Sequence, residues 1–379
     1  MKKSFILLLI LGFSIVGNAQ ENENLVKKIA KKVFSAQGDS TRSASFMALP
    51  ALAYAQETGF EFGIASNYNF YLDKKDPQSR TSSVMLIGTL TTKNQKKINI
   101  NTDIWTKNND YHILGELRLR DWPFNFYGIG NDTWQKDENN LDQKLYRVKL
   151  DVEKKVISNL YVGINANYDN FSFKDLLGDG IFEQSNLTGK NGGQFLALGF
   201  STLYDTRNVT TYTTAGMYAR VKWAYAPRIF KADDFKGSLT EVDVKGFIPF
   251  NRKVTLAAQG IYRGTQGKNI PFYVMRDLGG DMIMRGYYLG RYKDNNYIAS
   301  QAELRYRLHP RFGVSGFVGT GSTFSDNHKI RMVPSYGGGL RYFFSIEHSS
   351  SIRIDYAIGE QRPGEKRQSG FYLSVSEAF

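Results

Sequence analysis

Residues that could perform acid–base, nucleophilic or metal chemistry are few in this sequence. It has four histidines, and three of them fall close to predicted short turns: His112, His309 and His348. The fourth, His328, follows Ser325 and Asp326. Three residues this close in sequence cannot easily place an imidazole between a nucleophile and a carboxylate. No histidines are paired at the i, i+2 or i+4 spacing of metal sites. We therefore expect no catalysis, no metal and no cofactor.

The distinctive charged group is Arg285, which lies in a loop of unusual composition. Residues 269–296 show no helix or strand period, because four glycines interrupt them: Gly279, Gly280, Gly286 and Gly290. The segment is therefore predicted to be a loop. It is too apolar for a solvated loop, because it also carries Met282, Ile283, Met284, Tyr287 and Tyr288. We predict that this central loop folds back into the space that the flanking segments enclose, where Arg285 needs an anionic partner.

The segments that must enclose the loop alternate polar and apolar residues. In one of them Val242 and Val244 alternate with Glu241, Asp243 and Lys245. Such segments recur at a length of about ten residues, which suits tilted strands that cross a membrane. We predict about 16 strands, an even number as in bacterial barrels: 45–54, 58–72, 81–93, 96–107, 111–121, 143–156, 158–171, 193–205, 215–226, 238–249, 253–265, 296–308, 311–321, 332–345, 349–360 and 369–379.

Connector lengths alternate along the chain. Short connectors at one end include residues 107–110, 251–252 and 309–310. Long connectors at the other end include residues 122–143 and 266–296. This alternation is typical of periplasmic turns and extracellular loops, so the central loop is predicted to be extracellular. A water-soluble β-sandwich would show the same strand period, but it would not explain the connector pattern.

Composition and the N-terminus indicate export. Residues 1–19 have a basic start, an apolar run and a small residue at Ala19, which predicts a secretory signal peptide. Residues 20–43 are predicted to form a periplasmic segment with a possible amphipathic helix, and residues 44–379 the barrel. The chain has no cysteine and a net charge of +13. Its cations alternate inward rather than forming a stripe, so no nucleic-acid binding is expected.

The C-terminus carries a candidate assembly signal. Phe371, Leu373 and Val375 occupy alternate positions of the last predicted strand, and Phe379 is the last residue. A terminal aromatic residue resembles the signal that outer-membrane barrels present. We therefore expect the host barrel-assembly machinery to insert this chain.

Three motifs resemble those of the BamA/TamA superfamily of outer-membrane assembly and translocation barrels, of the surface-antigen type. Arg285 and its neighbours resemble the arginine-glycine-aromatic core of the family's signature loop: Met284, Arg285, Gly286 and Tyr287. A family turn motif resembles the segment that carries Asp205, Arg207 and Gly216, and residues 126–131 are also similar. The resemblance covers residues 44–379. It implies an all-β transmembrane barrel of about 16 strands with an inward-folded extracellular loop, in the outer membrane of a Gram-negative bacterium.

Two features depart from the family pattern. The family's assembly and translocation members carry periplasmic POTRA domains, for which this sequence has no room, so it resembles the stand-alone barrels. An aspartate that often accepts the loop arginine is missing from residues 317–321. Because a buried arginine without a carboxylate would be costly, we expect Arg285 to pair with Glu303 first and Asp355 second.

The resemblance implies insertion or translocation of protein or lipid at the outer membrane. A strand pair weakened at Pro50 and Gly370 would open towards lipid, with client or partner outer-membrane proteins as partners. One alternative is a scaffold subunit of an outer-membrane complex. Another is a passive channel that prefers anions. The inward cations that would line it are Arg118, Arg120, Arg147, Lys149, Arg220, Lys222, Lys245, Arg305, Arg307, Arg341 and Arg353.

Overall fold

A computed structural model describes residues 42–55, 59–231 and 234–379 of the chain. The predicted signal peptide and residues 20–41 of the predicted periplasmic segment lie outside the described residues. Sixteen strands form one antiparallel sheet, each paired with its neighbour along the chain, and two more form a small separate hairpin. The strands are β1 (Ser45–Ala55), β2 (Gly59–Phe70), β3 (Ser82–Thr91), β4 (Lys96–Trp105), β5 (Tyr111–Phe126), β6 (Asn139–Ile157), β7 (Leu160–Asp175), β8 (Gly192–Asp205), β9 (Gly216–Ala226), β10 (Gly237–Pro249), β11 (Val254–Gly267), β12 (Arg276–Leu278), β13 (Tyr292–Asp294), β14 (Asn296–His309), β15 (Phe312–Phe324), β16 (Val333–Ser345), β17 (Ser350–Ile358) and β18 (Ser369–Ser374).

The large sheet runs from β1 to β11 and continues from β14 to β18, so all sixteen predicted strands are confirmed. Short helical segments occur only in connectors of the described chain: α1 (Ile181–Gln184) and the 3-10 turns Lys107–Asn109, Gln135–Asp137 and Phe272–Val274. Among the described residues, none of the helices has the length and apolar character needed to cross a membrane.

Contacts across the interior show that the sheet curls into a barrel. Arg80, ahead of β3, donates a hydrogen bond to the Asp205 carboxylate at the end of β8 over 2.6 Å. Thr211, which follows β8, donates to the backbone carbonyl of His348, which precedes β17. The right-handed twist of adjacent strands makes such a sheet coil, and sixteen strands enclose a polar interior.

The two faces of the barrel wall have opposite polarity. On β6, Tyr146, Val148 and Leu150 point outward and are about half exposed, while Asp151 and Glu153 point inward and are buried. Apolar residues therefore face the lipid and charged residues face the lumen, as in transmembrane barrels. The average hydropathy of the chain is low because the polar residues of the inner face offset the apolar residues of the outer face.

Two predicted boundaries change in the structure. The connector predicted at residues 122–143 is shorter, because β5 extends to Phe126 and β6 begins at Asn139. Here Pro123 stands opposite Asp142 within the ladder. The last strand, predicted at 369–379, ends at Ser374, and the final residues turn into the lumen. The wall is thus tallest at β5–β7, with 16, 19 and 16 residues, and shortest at β18, with six.

Packed side chains close the outer half of the barrel around β5–β9. This aromatic cluster joins the strand ends, α1 and the start of the central loop through the buried residues Phe124, Phe126, Leu141, Leu145, Phe171, Phe173, Phe182, Phe195, Ala197, Ala224, Ala226, Phe235, Phe272, Tyr273 and Val274. At the periplasmic end, Tyr212 and Thr213 of the β8–β9 connector are also buried. Tyr212 meets the ring of Phe343 on β16 edge to face at 4.8 Å.

Candidate functional site

The central loop lies inside the barrel and presents Arg285 to the opposite wall. Its stem is the β12–β13 hairpin, and Met284 and Tyr287 are each 1 % exposed. Met284 adopts a positive φ of 56° and Gly286 a φ of 102°, so the chain makes a tight turn around the arginine. A Cβ on Gly286 would lie 2.9 Å from the backbone nitrogen of Gly359. Glycine is therefore required for this close approach.

Arg285 is fully buried and bridges two carboxylates on different strands. It donates to Asp355 on β17 over 2.6 Å and to Glu303 on β14 over 2.9 Å. It also donates to the Gln301 amide oxygen over 3.3 Å. The structure thus brings Arg285 together with both carboxylates named as its candidate partners. A planar guanidinium suits this bridging because its nitrogens point in fixed, separate directions.

A closed set of charges surrounds this bridge. We call it the arginine hub; its members are Arg285, Arg305, Arg341, Arg353, Asp281, Glu303, Asp355 and Glu377. Arg341 contacts Asp355 over 2.6 Å and Glu377 over 2.8 Å. The four arginines and three of the four carboxylates are buried, whereas Asp281 is half exposed. Such a set satisfies the requirement that buried charges be paired and hydrogen-bonded.

Phe317 occupies the region where the family pattern often has an aspartate. The guanidinium carbon of Arg285 lies 3.4 Å from the centroid of the Phe317 ring, which is cation–π geometry. On the neighbouring strand, a Cβ on Gly339 would lie 1.9 Å from an Asp355 carboxylate oxygen. Gly339 therefore leaves room for the hub.

Tyrosine hydroxyls and backbone groups fix the loop at its tip. Tyr287 donates to the Pro334 carbonyl over 2.6 Å and accepts from the backbone N–H of Glu360 over 2.7 Å. The Gly286 N–H donates to the Tyr372 hydroxyl on β18 over 2.7 Å. The tip is thereby joined to β16, to the β17–β18 connector and to the last strand. Burial raises the pKa of Tyr287, so its hydroxyl keeps its proton.

Asn131, in the motif at residues 126–131, makes contacts that its sequence did not predict. Its side-chain amide donates to the backbone carbonyls of Thr323 over 2.8 Å and Lys329 over 2.7 Å. Its backbone carbonyl accepts from the Arg331 guanidinium. The Gly130 N–H donates to the Lys293 carbonyl in the central loop over 2.7 Å. This connector therefore crosses the outer mouth. In the sequence, only the resemblance of residues 126–131 to a family motif pointed to this segment.

The turn motif is an ion pair at the periplasmic end. Asp205 is fully buried and accepts from Arg207 over 2.7 Å as well as from Arg80. Gly216 has a φ of 106°, and a Cβ there would meet the Thr206 carbonyl at 2.3 Å. The pair and the glycine hold the β8–β9 connector in its turn, which favours a structural role for the motif.

The four residues of the candidate assembly signal separate into two pairs. Phe371 and Leu373 point outward, 65 % and 58 % exposed, whereas Val375 and Phe379 are buried. Residues 375–379 form an inward tail in which Glu377 joins the hub. The Phe379 carbonyl accepts from Arg305 over 2.7 Å. The outward alternation predicted to the end of the chain is therefore wrong after Leu373.

The outer histidine does not complete a catalytic triad. His328 contacts Asp294 over 2.8 Å and Ser325 over 3.2 Å, but both contacts use the same ring nitrogen, Nδ1. A triad base needs its two nitrogens on opposite partners. In the described part of the chain, no three His, Asp or Glu side chains are placed to hold a metal ion.

Nine of the eleven cations proposed to line an anion channel are in ion pairs. Arg220, for example, contacts Asp151 over 3.0 Å and Glu153 over 2.8 Å. The lumen charge is therefore largely neutralised by its own wall. This pairing, together with the inward loop, argues against an open anion-selective pore.

His348 connects the β16–β17 turn to the start of the first strand. Its Nε2 lies 2.8 Å from the Ser43 carbonyl and its ring stacks on Tyr71 at 4.8 Å. The guanidinium of Arg42 lies 3.7 Å from the same tyrosine ring. Burial lowers the pKa of His348 below its ordinary value of 6.5, and nearby Arg42 adds to this.

Acidification is therefore expected to destabilise this contact. The unfolded chain binds the His348 proton more readily, so stability is complete above pH 6.5 and falls below it. We expect the thermal midpoint of the protein in detergent to fall between pH 7.5 and 5.5 by more than that of His348→Gln. Equal pH dependence of the two proteins would contradict this role.

Comparisons with known proteins agree with the fold. The Omp85 superfamily domain matches residues 56–379. BamA from Haemophilus ducreyi lacking POTRA domains 1–3 is similar in structure, with a TM-score of 0.54, 17 % identity, and coverage of 88 % of this chain and 70 % of that chain. CdiB from Acinetobacter baumannii has a TM-score of 0.52 and 12 % identity, with coverage of 89 % of this chain and 66 % of that chain.

CdiB from Escherichia coli has a TM-score of 0.52 and 10 % identity, with coverage of 87 % of this chain and 61 % of that chain. At these identities the likeness establishes the fold. The chain spans less than two thirds of the length of either CdiB chain. No curated protein sequence matches it.

Proposed function

Because the chain belongs to the Omp85 superfamily, we propose that it inserts or translocates protein or lipid at the outer membrane of a Gram-negative bacterium, through the seam between β1 and β18. Its partners are then membrane lipid and client outer-membrane proteins. Similarity in fold to BamA and CdiB supports this class of role. The observation that carries the proposal is the shortness of β18.

The seam has an unequal pair of edges. The described ladder begins at β1, which has eleven residues, and ends at β18, which has six. In the described sheet these two strands are the ends, and no ladder pair joins them. Unpaired backbone N–H and C=O groups at a strand edge are templates for an added strand. A client strand or a lipid headgroup can satisfy them where the barrel's own last strand does not.

The inward tail and the arginine hub explain why β18 is short. Glu377 and Phe379 contact the lumen side of β14 and β16 through Arg305 and Arg341, which draws the end of the chain away from the wall. Pro50 lies in β1, where its missing N–H removes one donor from the ladder. The hub keeps the rest of the barrel in register while the seam remains weak.

A reversible crosslink across the seam tests this function. The chain has no cysteine, so cysteines on the outward faces of the two edge strands, Ala48→Cys on β1 and Leu373→Cys on β18, can be joined with thiol reagents of increasing length that are cleaved by reductant. We expect the joined protein in lipid vesicles to lose both client insertion and lipid movement between leaflets, and to regain activity on reduction. The client's heat-dependent gel shift and a fluorescent lipid report the two activities.

The matched control is a crosslink inside the continuous wall. Leu117 and Val148 face lipid and stand opposite each other on β5 and β6. Joining cysteines at these positions is expected to leave both activities unchanged. Full activity with the seam joined would refute the proposal. Large currents from the intact protein in planar bilayers would favour the channel instead.

A further inference from the structure

A chamber of about 460 Å³ lies in the lumen between the central loop and the wall strands β5–β7, β10 and β11. Its polar lining is rich in cations: Arg118, Arg120, Arg147, Lys149, Arg263, Arg276 and Lys293. Only four carboxylates line it: Glu116, Asp169, Glu241 and Asp277. The chamber therefore carries an excess of positive charge. A volume of this size is within the range of small-molecule sites.

Each carboxylate in the chamber already has a cation. Glu116 lies 2.8 Å from Arg118 in an ion pair, and Asp169 is held by Arg147 through two hydrogen bonds of 2.6 and 2.8 Å. Glu241 lies 2.8 Å from Arg263, and Asp277 lies 2.6 Å from Lys293. Each of the four carboxylates thus has a cation within 2.8 Å.

Arg120 and Arg276 are the two cations left over. In the described chain neither guanidinium lies within 4.0 Å of a carboxylate, and the buried Nε of each has no hydrogen-bond partner. Arg276 donates only to the Gly264 carbonyl, over 2.8 Å. They approach the chamber from different sides, Arg120 from the wall and Arg276 from the central loop. Unpaired arginines facing one space are typical of a site for an oxyanion.

One side of the chamber is apolar. Phe171, Phe173 and Phe272 of the aromatic cluster line it, and the rings of Phe173 and Phe272 are 4.6 Å apart. A ligand that fills the chamber must therefore present negative charge to the arginines and an apolar group to these rings. A hydrated inorganic ion would satisfy only the first requirement.

We propose that this chamber binds a phosphate monoester that carries an apolar group, with its phosphate between Arg120 and Arg276 and its apolar group against Phe171, Phe173 and Phe272. A dianionic phosphate offsets most of the excess charge and accepts hydrogen bonds from both guanidinium groups. The same chemistry occurs in soluble phosphate esters and in lipid headgroups of the phosphatidic acid type. The site does not depend on the seam, so the two proposals are independent.

Calorimetry on the full-length protein in an uncharged detergent tests the site. The probes are phenyl phosphate, inorganic phosphate and a short-chain phosphatidic acid. We expect saturable one-to-one binding of phenyl phosphate, with inorganic phosphate weaker by about tenfold because it lacks the apolar group. Tighter binding of phosphatidic acid than of phenyl phosphate would identify a lipid source, and the reverse a soluble ester.

The variants Arg120→Gln and Arg276→Gln distinguish this site from general attraction to a cationic lumen. Each is expected to weaken phenyl phosphate binding by about tenfold or more, through loss of a charged hydrogen bond. The control is Lys245→Gln, which removes a lumen cation outside the chamber that pairs with Asp243 over 3.3 Å. It is expected to leave binding unchanged.

Thermal stability separates a binding role from a structural one. Arg120 and Arg276 have no carboxylate to leave uncompensated, so the glutamine variants are expected to unfold without ligand at or above the wild-type midpoint. Phenyl phosphate is expected to raise the midpoint of the wild type but of neither variant. No saturable binding, or equal weakening by Lys245→Gln, would overturn the proposal.

Discussion

Replacing Arg285 by alanine is expected to lower the free energy of unfolding by about 3–5 kcal/mol, the usual cost of removing one partner from a buried ion pair. The substitution leaves the hub with a net negative charge among Arg305, Arg341 and Arg353. Asp355 keeps Arg341 and Arg353, and Glu303 keeps Arg305 and the more distant Arg341, but the direct bridge through Arg285 between β14 and β17 is lost. The loop tip also loses its contact with the Phe317 ring.

Urea unfolding in lipid vesicles, followed by tryptophan fluorescence and by the heat-dependent gel shift, measures this loss. Arg285→Lys is expected to retain part of the stability, because an ammonium group preserves the charge but cannot bridge two carboxylates in fixed directions. The matched control is Asp132→Ala in an outer connector, because Asp132 is 81 % exposed and its partner Arg362 keeps a hydrogen bond to the Thr133 carbonyl without it. Exposed pairs contribute about 0–1 kcal/mol, so the control is expected to stay near the wild type.

The pairing would be refuted by equal stabilities of Arg285→Ala and Asp132→Ala. Two further variants refine the result. Glu303→Ala and Asp355→Ala each remove one end of the bridge and one buried carboxylate. Both are expected to lower the gel-shift temperature, and Asp355→Ala by more, because Asp355 contacts three arginines within 2.8 Å whereas Glu303 contacts two at 2.9 Å and Arg341 at 3.5 Å.

Most of the barrel was predictable because one simple period governs it. Alternation with outward apolar residues identified every strand of the large sheet. The predicted strand ends are wrong where this alternation does not determine the end of a strand. At β5 and β6 the ladder continues through Pro123, a residue that normally suggests an end. At the C-terminus, the spacing of Phe371, Leu373 and Val375 continues the pattern although the chain leaves the wall.

The inward loop was predictable from composition, whereas its full charge network was not. Apolar residues and an arginine in one long loop required a packed, anionic environment, and the structure places Glu303 and Asp355 there. Alternation along a strand does not separate cations paired across strands from cations that face water. Arg341 and Arg353 therefore looked like pore lining, although both belong to the hub. Pairing across a barrel is set by strand register and curvature, not by spacing along the chain.

Replacing Glu377 by glutamine is expected to release the inward tail while keeping the terminal aromatic residue. Glu377 accepts from Arg341 over 2.8 Å and from the Ser351 hydroxyl, so its charge anchors the tail within the hub. The loss of a charged hydrogen bond is expected to lower the free energy of unfolding by about 2–3 kcal/mol. Carboxypeptidase is expected to remove Phe379 at least about tenfold faster, because that free energy is the one that holds the tail inside.

The control for the tail is Glu365→Gln, which removes an outer carboxylate that pairs with Arg291 over 3.4 Å and does not touch the tail. When Arg341→Gln is already present, adding Glu377→Gln is expected to lower the free energy of unfolding much less than Glu377→Gln does alone, because the two groups act as a pair. If carboxypeptidase removes Phe379 equally fast from the wild type and Glu377→Gln, the Glu377 charge does not hold the tail. The short β18 would then follow from the packing of Val375 and Phe379 and from the hydrogen bonds that Arg305 and Arg353 donate to the tail backbone.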